Sequence, residues 1–184
     1  REDIITMGIP PQRVVSFPLG TDCPVEPDDG QTEAVRAKLR LDGRQVVLYF
    51  GAVNRIRQLD FLLQVAALVH DQFPEARWLI VGPGPQNERE RLLDLAGVLG
   101  LRETVKFIPE VPRDEITLYL RVASLSVSPI PSLPCFEVSS PTKAVESLAM
   151  GCPVVGTPIP DQAAIIRESG GGLVAPFEEE AFAE

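Results

Sequence analysis

A lysine and a glutamate three residues apart, Lys143 and Glu146, stand in the stretch Ser139-Ser140-Pro141-Thr142-Lys143-Ala144-Val145-Glu146. Ser140 is placed to cap a helix whose first position is Pro141, where a missing N–H costs nothing. Ala144, Val145, Leu148 and Ala149 form an apolar stripe at helical spacing, and Gly151 with Pro153 ends the helix. First-turn amides point outward unpaired and favour an anion there. Lys143 is a cation at the end of the helix dipole that disfavours cations, which makes sense where an anion is shared with those amides. Glu146, on the same face, offers a hydroxyl acceptor. On this segment alone, an anion site and an ordinary surface Lys–Glu pair are equally good readings.

A second group precedes it. Gly51 ends an apolar run and is followed by Arg55 and Arg57, a glycine for close backbone approach and guanidiniums for phosphate. Two solvated arginines in a loop are the plainer account. Gly82-Pro83-Gly84-Pro85 imitates a dinucleotide fingerprint, but its third glycine is replaced by Asn87 and it does not open the first strand–helix turn. NAD binding is rejected on that ground, and a tight turn is expected there. Asp60 and Glu110 are carboxylates for which spacing implies no partner; Asp60 is read as a helix cap. Glu137 lies close to the Lys143 helix and is the one candidate for a catalytic carboxylate. The single histidine, His70, is expected at a helix end, and one histidine excludes a multi-histidine metal site.

The elements that must position these residues follow from periodicity. Apolar runs at 46–50, 78–81, 105–108, 125–128, 154–156 and 172–174 alternate with helical segments near 60–70, 88–99, 114–123, 141–149 and 162–168. Strands with no polar face alternating with helices indicate an α/β fold, a doubly wound parallel sheet of Rossmann-like type. Ligands of such sheets sit beyond the carboxyl ends of the strands, where strand order reverses. Those ends carry Gly51 to Arg57, Gly82 to Pro85, Pro109 to Pro112 and the Pro-rich loop 129–141. A short strand at Val14 to Phe17 and a charged helix over 31–40 come earlier. Three units result: a leading segment 1–44 with the short strand and charged helix, a Rossmann-like body 45–176, and an acidic helix start at 177–184. Both ends read as cut from a longer protein.

The 184 residues suffice for one domain with a sizeable core but not two α/β domains. A formal charge of −9 argues against nucleic acid or an anionic membrane as the main partner. No apolar run has membrane-spanning length. Cys23, Cys135 and Cys152 show no CxxC spacing and form an odd set, so a reduced, cytoplasmic setting is expected.

The order of segments resembles the C-terminal domain of a retaining glycosyltransferase of the GT-B type, in the large group-1 family. Pro18-Leu19-Gly20-Thr21-Asp22 is similar to the family's entry loop, and Phe50-Gly51 through Leu59-Asp60 to its glycine-arginine strand and loop. Val81 to Pro85 and Val105 to Val111 resemble two further strand ends, and Glu146-Ser147-Leu148-Ala149-Met150-Gly151-Cys152-Pro153-Val154-Val155 its most specific motif. The departures are Ala52, where the family carries arginine, Arg57 in place of a lysine, and Val138, where a first glutamate is expected one residue after Glu137. The segment resembles instead a variant form with Ser-Pro, lysine and glutamate in this spacing.

The resemblance implies that Glu146 accepts hydrogen bonds from the ribose of a nucleotide-sugar donor. It implies that Ser139, Ser140 and Thr142, with Lys143, Arg57, Arg55 and Gly51, surround the diphosphate. Backbone at Pro109, Glu110 and Val111 would flank the base. The reaction implied is transfer of a sugar to an acceptor hydroxyl with retained configuration, with no cofactor and no metal. An N-terminal acceptor-binding domain of the same protein is the implied partner, so the fragment alone is expected to be inactive. Two alternatives remain: a sugar-nucleotide epimerase-like domain, and an interaction domain whose donor site has degenerated, to which Ala52 and Val138 would testify.

Overall fold

The computed structural model describes residues 2–15, 17, 20–21 and 27–184. Its elements in chain order are α1 (Glu2–Thr6), α2 (Asp29–Leu39), β1 (Val46–Phe50), α3 (Leu59–Gln72), β2 (Arg77–Val81) and α4 (Gln86–Val98). Then come β3 (Val105–Ile108), α5 (Ile116–Val122), β4 (Leu125–Ser128), α6 (Pro134–Glu137) and α7 (Thr142–Ala149). The chain closes with β5 (Val154–Gly156), α8 (Pro160–Ser169), β6 (Gly172–Val174) and α9 (Glu179–Ala183). Short 3-10 turns stand at Pro11–Arg13, Arg55–Arg57 and Arg113–Glu115.

The six strands form one sheet in the order β3-β2-β1-β4-β5-β6, every pair parallel. The chain winds outward from β1 to β3, then returns through α5 to lay β4 on the other side of β1. That return makes the crevice beyond β1 and β4 the switch point of the sheet. The doubly wound Rossmann-like fold expected from the apolar runs is therefore the fold observed.

Burial follows the strand period. Val47 and Tyr49 join the cluster of α3 and α4, with Leu62, Leu63, Val65, Leu92 and Ala96. Val46, Leu48 and Phe50 face the opposite layer with Leu41, Tyr119, Leu120 and Val122. All five residues of β1 are buried, as a strand covered on both faces requires. A third cluster, Ala144, Val154 and Ile166, seats α7 and α8 on β5. Among the described residues, no helix is long and apolar enough to cross a membrane.

Several expectations need correction. Val14, Val15 and Phe17 are not in a strand, and Ser16 lies outside the described residues. Pro18, Leu19 and Asp22 of the entry loop, and Cys23, also lie outside them. The Pro-rich loop contains a short helix, α6, because Pro134 sits in its first turn, where proline is tolerated. Ser140 is not the cap of α7: that position is held by Pro141, and no side chain caps it. Asp60 is not a cap either. Gln58, in the left-handed region at φ 49°, stands before α3, and Asp60 lies within its first turn. The acidic tail forms α9, whose Phe182 packs edge-on against Phe61 at 5.4 Å between ring centres.

Candidate functional site

Three strand ends and one helix start converge at the switch point. The loops after β1 and β2 are stitched by hydrogen bonds: Gly51 N–H donates to Val81 O (2.8 Å), Val53 N–H to Pro83 O (2.7 Å) and Gly82 N–H to Ile108 O (3.1 Å). The glycines of Gly82-Pro83-Gly84 allow this approach. A β-carbon on Gly82 would lie 2.1 Å from the carbonyl oxygen of Gly51, and one on Gly84 2.1 Å from that of Val53. Both glycines thus serve close packing of the loops after β1 and β2.

Gly51 itself, at φ 135°, clears space for a side chain from the other half of the sheet. A β-carbon there would sit 2.9 Å from Nζ of Lys143. Lys143 projects from the first turn of α7 over the ring of Tyr49, Nζ 4.5 Å from the ring centre, and donates to the Tyr49 hydroxyl at 3.5 Å. It forms no ion pair with Glu146. Burial pushes its ammonium down to about 7, the charge of Arg57 acts in the same direction, and Glu146 opposes them.

Arg57 is the second cation of the site. Its guanidinium lies over the ring of Phe136 on α6, 4.7 Å from the centre, and its Nε is buried without a hydrogen-bond partner. Among the described residues, neither Arg57 nor Lys143 takes part in an ion pair. Two positive groups are thus held by aromatic faces beside the first-turn amides of α7, which lack intrahelical partners. Arg57 and Lys143 are each half-buried, and like charges drawn together out of water without an ion-pair partner are costly, a cost that an anion of two or more charges relieves.

Glu146 stands one turn along the same helix. Its carboxylate accepts from Arg113 Nη2 at 3.1 Å, with the Glu146 side chain 20% exposed and that of Arg113 78% exposed. Arg113 follows the loop Pro109-Glu110-Val111, so this ion pair ties the loop beyond β3 to α7. Pro109 and Glu110 are exposed, and Val111 packs partly against the α5 layer.

The remaining candidates stand apart. Arg55 turns away from Arg57 and pairs with Glu88 on α4 at 3.2 Å. Its side chain is 79% exposed. Asp60 has a partner that spacing did not reveal: Arg91 Nη1 and Nη2 donate to its two oxygens at 2.7 and 2.5 Å. Ser139 closes α6, its hydroxyl donating to Phe136 O at 2.7 Å. Ser140 is half-buried and Thr142 exposed at the start of α7. Glu137 is exposed at the end of α6. His70 lies near the end of α3, 3.5 Å from the Thr104 hydroxyl. Three residues of the site escaped the sequence reading: Tyr49, Phe136 and Arg113. Tyr49 alone left a signal, a polar-tipped aromatic at a wholly buried strand end.

Among the described residues, no cluster of three or more His, Cys, Asp or Glu side chains could hold a metal ion. The chain is 30% identical to the D-inositol 3-phosphate glycosyltransferase of Streptomyces griseus across 98% of its own length, and it spans 39% of that enzyme. Among solved structures, it superposes on the glycosyltransferase WaaG, which is involved in lipopolysaccharide biosynthesis, with a TM-score of 0.77 and 21% identity. That match covers 96% of this chain and 47% of WaaG. Anabaena HepE, solved in complex with UDP-glucose, matches with a TM-score of 0.70 and 20% identity over 89% of this chain and 44% of its own. The family described as Glycosyl transferases group 1 matches residues 44–184, and the chain belongs to that family.

Proposed function

We propose that this chain is the donor-binding half of a retaining glycosyltransferase, which moves a sugar from a nucleoside diphosphate to an acceptor hydroxyl. The observation that carries this reading is the unpaired cation couple, Arg57 and Lys143, held at the switch point beside the start of α7. A diphosphate supplies the charge that this couple lacks, and the amides of Thr142 to Ala144 add oriented donors. Glu146 then takes the ribose hydroxyls in exchange for its ion pair with Arg113. The backbone of Pro109, Glu110 and Val111 flanks the base. Ser139 and Ser140 shape the approach to the phosphates, and Glu137 borders the sugar side as the candidate catalytic carboxylate.

In this reading the diphosphate charge is met by Arg57, Lys143 and amides, with no metal or cofactor assigned. The binding of UDP-glucose by HepE, on the same fold, supports the ligand class. The acceptor site and the closing of the cleft belong to another domain of a longer cytoplasmic protein. Residues 1–184 alone therefore bind nucleotide and turn nothing over. Ligand-observed NMR with UDP, GDP and ADP tests this: at least one is expected to bind. Binding of none would support the degenerate interaction domain and sink the donor-site reading.

A further inference from the structure

We infer that Tyr49 is a positioning residue for Lys143, its hydroxyl oxygen holding the ammonium at the crevice where a donor diphosphate would lie. The inference rests on the donor-site reading above. Tyr49 is the fourth residue of β1 and 1% exposed, in a strand otherwise filled by Val46, Val47, Leu48 and Phe50. A phenylalanine would pack there without bringing a hydroxyl into the core, and a buried hydroxyl is costly unless it is used.

The hydroxyl is used twice. It donates to the carbonyl of Ala52 at 2.9 Å, so its single proton is committed to the loop after β1. Burial pushes its pKa well above the ordinary phenol range, so that proton stays in place. The oxygen then faces Nζ of Lys143, at 3.5 Å, with lone pairs only. The ring adds its negative face beneath the same ammonium at 4.5 Å, and the missing side chain of Gly51 leaves room for it.

The titratable and charged groups acting on Lys143 are Tyr49 from β1, Arg57 from the turn before α3, and Glu146 on its own helix, itself bonded to Arg113. Burial and Arg57 both favour the neutral amine, and bring the ammonium to about 7. The Tyr49 oxygen is a neutral acceptor that favours the charged form, the form a diphosphate needs.

Tyr49→Phe keeps the ring and removes the acceptor, so Lys143 loses its proton more easily. Binding of UDP, or whichever of UDP, GDP and ADP the screen selects, should weaken roughly three- to tenfold at about pH 8, the scale of one hydrogen bond to a charged group. At about pH 6, where the amine is protonated in both proteins, the loss should stay below roughly twofold. The ligand's own phosphate titrates at about 6, but identically for both proteins, so the affinity ratio is the readout. Uridine binding should not change at either pH. A merely structural role for Tyr49 would give the same loss at both pH values. Such a flat ratio, or no loss at all, overturns the inference while leaving the donor site standing. Failure of the wild-type chain to bind any of the three nucleotides overturns both. Thermal unfolding of Tyr49→Phe confirms that the compared proteins are equally folded.

Discussion

Arg55 and Arg57 stand two residues apart in one turn and serve opposite ends. Arg55 joins a network in which charges alternate: Asp60 with Arg91, Arg91 with Glu88 at 2.7 Å, and Glu88 with Arg55. That network ties α3 to α4, and each carboxylate has an arginine. Arg57 goes to the switch point, where the other cation is Lys143 and the partners are the rings of Phe136 and Tyr49. The first cluster is complete as it stands and contributes to stability. The second carries an electrostatic cost that aromatic faces offset only in part, the pattern expected where a ligand completes the charge balance.

The comparison breaks first at Arg91. Arg91→Ala leaves the carboxylate of Glu88, 5% exposed, with Arg55 alone. It should lower the unfolding free energy by about 2–3 kcal/mol in urea titration, since Glu88 loses both hydrogen bonds from Arg91 and keeps only the exposed Arg55. Nucleotide affinity of the folded protein should be unchanged. Hydrogen bonds from Arg91 are the leading reason that both Asp60 and Glu88 lie below the usual carboxylate range. Their contribution is therefore full above about pH 5 and lost as pH falls through the depressed folded values. The gap between wild type and variant should close over that acid range, and a gap constant down to about pH 2 would contradict the assignment.

Glu146→Gln comes next. It keeps the size of the side chain, removes the charge, and should weaken nucleotide binding by about 1–2 kcal/mol. Equal calorimetric affinities would rule out the ribose role. Arg55→Ala is the smallest effect, a change in nucleotide affinity below about 0.5 kcal/mol. A tenfold loss would move Arg55 into the phosphate site and dissolve the contrast between the two clusters.

Much of this was legible before the structure. Strands 46–50, 105–108, 125–128, 154–156 and 172–174 were readable to the residue: the central β1 is an unbroken apolar run buried on both faces, and the others are short, mainly apolar segments bounded by turns and helices. Val14, Val15 and Phe17 show the same apolar character, yet none of the three is in a strand. Prolines misled in the other direction: Pro134 opens a helix inside what reads as loop, and Pro141 takes the place expected for Ser140. At the candidate site, residue type and placement after parallel strands singled out Gly51, Arg57, Lys143 and Glu146, and the structure sets Gly51 against Lys143, with Arg57 and Glu146 close enough to act on its charge. Their partners were not. Spacing made Lys143 and Glu146 neighbours, but Tyr49 from β1 and Arg113 from the loop beyond β3 are the groups that engage them. Those contacts depend on strand order, which local sequence does not encode.

The claim that Arg57 and Lys143 form an anion site awaiting a diphosphate is tested most directly by calorimetry of wild type and Lys143→Ala with UDP and with uridine. The expected result is a loss of about 2 kcal/mol or more in UDP binding by the variant, with uridine binding nearly unchanged. Equal losses for both ligands would make Lys143 a structural residue. Unchanged UDP binding would contradict the account.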